Sequence, residues 1–176
     1  NEDYKVKAKV ELLVDEQPFR MPTYDGTSNL YKKYAILHFQ LGDQTHRLTT
    51  YQSVNTIGST HLFLPFLDET SGPATYGGGR YLDLNINDIK DAEIIVDFNK
   101  SYNPYCAYSI GYRCPQPPSE NTLKIQILAG EKNYHEPKNE RIVNKSSAKN
   151  FSDAEKEIII NGKGQLRVYL TTDPND

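Results

Sequence analysis

The chain has 176 residues, 20 Lys plus Arg against 23 Asp plus Glu, and a formal net charge of −3. That length suits one domain able to bury its own core, and the slightly acidic balance excludes wholesale phosphate binding, so nucleic acid is not an expected partner. No apolar run approaches the roughly 18 residues that cross a bilayer as a helix, so no membrane span is expected.

In chain order the signal is strand-like. Val6, Ala8, Val10, Leu12 and Val14 recur with a period of two, as on a strand with one wet face. Tyr34 to Leu41 and His46 to Tyr51 repeat the pattern around Gly42-Asp43, a hairpin signal. His61 to Phe66 reads as a short strand in which Pro65 marks an end or an edge. Glu93 to Phe98, Thr122 to Leu128, Glu157 to Asn161 and Gln165 to Thr171 follow, the last two joined by Gly162 and Gly164 as a terminal hairpin. Helical signal is thin: Ser152 to Glu155 resembles a capping box, but the run Ile158 to Ile160 leaves room for about one turn. The polar stretch from Lys132 to Asn150 is expected to be a loop, and Asp173 to Asp176 a frayed tail. The fold class is therefore mostly β, a single domain across residues 1–176, built as an antiparallel barrel or sandwich with little helix.

Between Phe63 and Lys132 the alternation gives way to blocks of special residues: FLPFLDETSG, TYGGGRYLDL, DFNKSYNPYCAYS, YRCPQPPSEN and ILAGEK. In this order and spacing the blocks resemble the DUF1684 family, bacterial proteins of unknown function. The resemblance implies a largely β fold and no established activity. It locates a site region without naming a substrate.

The residues of these blocks carry their own reading. Arg80 drawn inward needs carboxylates, which Asp68 or Asp97 can supply. The result is either a polar cluster open to a ligand or a brace between loops. Gly77-Gly78-Gly79-Arg80 lacks the Lys-Ser/Thr ending of a P-loop and the helix of a dinucleotide fingerprint. It reads as a tight turn flanked by Tyr76 and Tyr81, and no cofactor class follows from it. Asn99, Asn103 and Asn121 sit where Asn side chains commonly bond nearby backbone, or where they would orient a ligand.

Cys106 and Cys114 are the two cysteines. A Gly-containing hairpin between them permits a disulfide, which an oxidising compartment would favour. As free thiols, they leave Cys106 open as a nucleophile or metal ligand. The four histidines, His38, His46, His61 and His135, show no paired metal-ligand spacing, so no metal site is expected.

The leading expectation is a module that binds a small polar or anionic ligand, with Arg80 for charge, Tyr76 and Tyr108 as walls, and Asp68, Asp97, Asn99, Asn103 and Glu131 for orientation. The alternatives are a hydrolase using Asp97, Glu131 or Cys106, and a surface or structural protein whose motif residues only hold loops. Asn at position 1, a single methionine at Met21 and the possible disulfide suit an exported protein, such as a lipoprotein trimmed of its anchor.

Overall fold

The period-two segments become one antiparallel sheet in the computed structural model, which describes residues 1–56, 58–109, 111–134, 155–162 and 164–171. Its strands are β1 (Lys5–Leu12), β2 (Phe19–Pro22), β3 (Ser28–Leu41), β4 (Gln44–Ser53), β5 (His61–Phe66), β6 (Arg80–Asn85) and β7 (Glu93–Asp97). They lie in the order β6-β5-β4-β3-β1-β7, with β2 paired to β3, and the sheet curls into a half-barrel. Among the described residues, helical content is confined to three-residue 3-10 turns. The chain divides into two compact units, Asn1–Tyr134 and His135–Asp176. The mostly β, single-domain reading fits the first. In the second, β8 (Glu155–Gly162) and β9 (Gly164–Thr171) pair as the expected hairpin. The expected loop beyond Tyr134, residues 152–154 of the capping box and the tail after Asp173 lie outside the described residues; Glu155 opens a strand.

Alternation decides which face each strand gives to the interior. Leu41 pairs with Gln44 across Gly42-Asp43, so the predicted hairpin is present. Farther along, the β3–β4 register shifts between Lys33 and Ala35, leaving Tyr34 as the extra residue of a bulge. The bulge moves the odd positions of β3 from one face to the other. Tyr31 thus packs with Tyr51 and Phe63 in a small aromatic cluster. Leu37 and Phe39 join Leu48, Leu64, Phe66, Leu82 and Phe98 in the main core.

Three elements differ from the sequence reading, the first being the short β2, which it did not include. Strand β6 follows the glycines directly and carries an arginine that is wholly buried, a combination that hides its alternation. Thr122 to Leu128 alternates but is not a strand; its one bridge is Leu67 with Thr122. Leu123 and Ile125 still bond the backbone of Leu67 and Glu69, but the backbone groups of Ile127 are taken by side chains: the Asp68 carboxylate accepts the Ile127 N–H, and Arg80 donates to the Ile127 carbonyl. The segment is a strap laid against the sheet, with Leu123 and Ile127 in the core.

Asn121 fastens the start of this strap. Strands β4 and β5 share a single registered pair, Tyr51 with Phe63, and the buried Asn121 amide enters where they part. It accepts from the Thr49 N–H at 2.7 Å and donates to the carbonyls of Thr49 at 2.8 Å and Pro65 at 2.7 Å. A side-chain amide thereby satisfies main-chain groups that would otherwise be buried unpaired. Pro65, having no N–H, is placed where β5 leaves its neighbour.

Candidate functional site

Successive residues of β6 point to opposite faces of the sheet. Arg80 and Leu82 face the main core, whereas Tyr81 and Asp83 face the other side. Two polar assemblies result from one strand.

The first is closed. Arg80 is fully buried and pairs with an equally buried Asp68 side chain, Nη2 to Oδ1 at 3.2 Å. Its other donors go to the carbonyls of Ile127 at 2.9 Å, Ala129, and Glu131 at 3.3 Å. Asp68 also accepts from Ser71 Oγ, from the Thr70 N–H and hydroxyl, and from the Ile127 N–H. Burial draws the guanidinium's pKa down and Asp68 opposes the shift. The Arg80 guanidinium lies 5.3 Å from the centre of the Phe66 ring, which offers it a favourable face where Nε has no hydrogen-bond partner among the described residues. The expected Arg80–Asp68 pair is therefore present, but it is a brace: protein carbonyls occupy the donors that an anionic ligand would need.

Two glycines let the chain close around it. Gly79 has φ +87°, and a Cβ there would stand 2.6 Å from the Phe66 carbonyl oxygen; Gly130 has φ +81°, and a Cβ there would collide with Ser101 Oγ and stand 2.8 Å from the Ser101 carbonyl oxygen. Both positions require the left-handed region and admit no side chain.

The second assembly is an open cleft of about 730 Å³. Tyr31, Phe63, Tyr81 and Tyr102 line it from the sheet side, and Tyr105, Tyr108 and Tyr112 from the loop that follows. That loop is closed by a disulfide between Cys106 and Cys114, whose Cα atoms are 6.3 Å apart. Tyr81 anchors it by donating to the Pro115 carbonyl. Cys106 thus has no free thiol in this structure, and the nucleophile and metal-ligand readings of it do not apply to the bonded form. Among the described residues no group of three or more His, Cys, Asp or Glu is placed to hold a metal ion.

Acceptors sit among these rings. Asp83 takes the Tyr102 hydroxyl on Oδ2 at 2.9 Å and lies 2.7 Å from His61 Nε2 through Oδ1. Glu131 accepts on Oε2 from the Asn103 N–H and the Tyr108 hydroxyl, each at 2.7 Å. Burial first, and Asp83 after it, push the phenols of Tyr31 and Tyr102 above the ordinary tyrosine range. Burial and the bond to Glu131 raise Tyr108 in the same way. The phenols are consequently neutral donors.

Of the residues expected at a site, Asn103, Tyr108 and Glu131 meet in this cleft, while Asp68 and Arg80 lie in the interior. Tyr76 stands apart, its ring close to Gly78, whose carbonyl accepts from Tyr24. Asp97 and Asn99 bond each other at 2.8 Å, and Asp97 borders a separate depression of about 430 Å³; the Asn99 hydrogen bond is the first cause that lowers its pKa. Sequence reasoning missed Tyr31, Phe63, Asp83 and Tyr102. The i, i+2 pairs His61/Phe63 and Tyr81/Asp83 were the available signal, since each places two residues on one face.

Residues 1–132 match the sequence profile of DUF1684, described as a protein of unknown function. The chain belongs to the DUF1684 family. The match reaches residue 1, well beyond the blocks between Phe63 and Lys132, and takes in β1, β3 and β4 of the sheet. The solution NMR structure of an uncharacterized protein of Haloarcula marismortui is similar, with 36% identity, a TM-score of 0.64, and coverage of 75% of this chain and 72% of that one. No curated protein matches. The DUF1684 match ends just past Glu131, so both polar assemblies lie within the family's span.

Proposed function

We propose that this DUF1684 domain binds a small polar organic molecule in the tyrosine cleft. The observation that carries the reading is the cleft itself: a concavity of about 730 Å³ whose walls are aromatic and whose few polar groups converge from β5, β6 and the end of the strap. That make-up is usual for specific small-molecule sites. Arg80 serves the cleft indirectly. By holding the carbonyls of Ile127, Ala129 and Glu131, it positions the strap whose end delivers the Glu131 carboxylate. Of the three groups considered for hydrolysis, only Glu131 lines the cleft.

The test is a fragment screen by NMR on the whole chain. Binding fragments are expected to perturb resonances of Tyr102, Tyr105 and Tyr112 together. A screen in which hits never touch these residues would remove the proposal. The Cys106–Cys114 bond also supports export, because such bonds persist in oxidising compartments. Alkylation of freshly lysed cells, read by intact mass, should leave both cysteines unlabelled; quantitative labelling would place the chain in a reducing compartment.

A further inference from the structure

Resting on the cleft reading, we infer that the ligand's recognised group is a protonated primary amine, not an anion. Two acceptors of the cleft lack a donor among the described residues, one on Glu131 and one on Asn103. Glu131 spends Oε2 on Asn103 and Tyr108, while Oε1 has no partner among the described residues. Asn103 is only 5% exposed. Its Nδ2 donates to the Lys132 carbonyl at 2.8 Å, which orients the amide and leaves Oδ1 buried without a donor.

A buried carbonyl oxygen without a donor is uncommon in folded proteins and calls for one. An ammonium group brings up to three N–H donors with a positive charge, matching a carboxylate and an amide oxygen on the same lining. The rings add to this, because a cation placed against a tyrosine face is attracted by its quadrupole. Tyr105 and Tyr112 stack with centroids 5.1 Å apart, and Tyr105 is 70% exposed, so an aromatic surface continues to the rim. The one arginine of the lining, Arg113, has its Nε 3.6 Å from Asp25, so it leans toward a carboxylate outside the cleft lining. Arg80, the cation first expected to meet a ligand, is consumed by the brace. An anion would meet the Asp83 and Glu131 carboxylates, with Arg113 the one arginine of the lining.

The experiment titrates four probes into the whole chain by calorimetry and NMR: putrescine, choline, glucose and inorganic phosphate. Putrescine is expected to bind and to shift the amide resonances of Asn103 and Glu131. Choline, which carries charge but no N–H, should bind at least several-fold more weakly. Glu131→Gln keeps an acceptor for the Asn103 N–H and removes the charge, and should weaken putrescine about tenfold. Tyr105→Ser, at an exposed ring, should weaken it by a smaller factor and guards against a folding defect in Glu131→Gln. Choline equal to or tighter than putrescine, preferential binding of glucose or phosphate, putrescine affinity unchanged by both variants, or no binding by any probe would each overturn the inference. The cleft reading is judged separately: fragments that perturb Tyr102, Tyr105 and Tyr112 leave it standing whichever probe fails.

Discussion

The two sides of β6 make opposite use of polar residues. On the core side, Arg80 and Asp68 are buried, and nearly all of their hydrogen-bonding capacity is used within the protein. On the other side, Tyr81 and Asp83 open onto a cleft where acceptors remain unused. Residues adjacent in sequence thus serve a closed brace in one case and line an open cleft in the other. A buried charge persists only when paired, so the same chemistry that makes Arg80 conspicuous in the sequence removes it from contact with solvent. The groups left for a ligand are the less conspicuous ones, Asn103 and Glu131.

The sharpest way to break this contrast is Arg80→Met. It leaves Asp68 as an uncompensated buried charge and frees the strap, with an expected loss of about 3–5 kcal/mol of stability, read by urea unfolding. A loss under about 1 kcal/mol would mean that Arg80 is not the brace described. The double change Cys106→Ser and Cys114→Ser acts on the cleft side alone. It should cost about 2–3 kcal/mol by release of a short loop, with NMR broadening at Tyr105, Tyr108 and Tyr112 and sharp lines retained at Leu64 and Leu82. Broadening spread through the main core would show that the two sides are not independent.

The smallest effect is in acid. Asp25, in the β2–β3 turn, accepts from the Thr23 hydroxyl at 2.5 Å, which is the leading cause, then from the Thr27 hydroxyl at 2.7 Å and its N–H at 3.1 Å. These hold its pKa down to about 2, against roughly 3.9 in an unfolded chain. The native state binds fewer protons over that interval, so this contribution is complete above about pH 4 and is lost as the pH falls toward 2. An NMR titration should show the low midpoint in the folded chain, and Thr23→Val should move it upward. Because Arg113 lies 3.6 Å from Asp25, the same titration reports on the outer anchor of the disulfide loop.

The extent to which sequence disclosed the fold follows local periodicity. β1 and the β3–β4 hairpin are legible through alternation around recognisable turns, and β5 and β7 as short apolar runs. β2 has four residues and a proline, too little for a pattern to form. Thr122 to Leu128 shows the reverse failure: alternation reports a wet face and a dry one, but it does not report whether a neighbouring strand is available to pair with. For the site, chemistry offered Asp68 or Asp97 as the partner of Arg80 and left the disulfide open; the structure pairs Arg80 with Asp68, bonds Cys106 to Cys114 and brings Asn103, Tyr108 and Glu131 together. The sheet-side wall was not foreseeable, since Tyr31 and Tyr102 reach it from distant parts of the chain.

By itself the slightly acidic, tyrosine-rich sequence determined a mostly β chain and the segment in which its special residues gather. Six of the 13 tyrosines fall between Tyr76 and Tyr112, and that concentration marks the cleft. Only the tertiary structure decided which of the gathered residues face outward. Strand alternation sends Arg80 in and Tyr81 out, the bulge at Tyr34 turns Tyr31 toward the cleft, and the strap brings Glu131 to Asn103. These are non-local events, set by which backbone groups find partners across the fold.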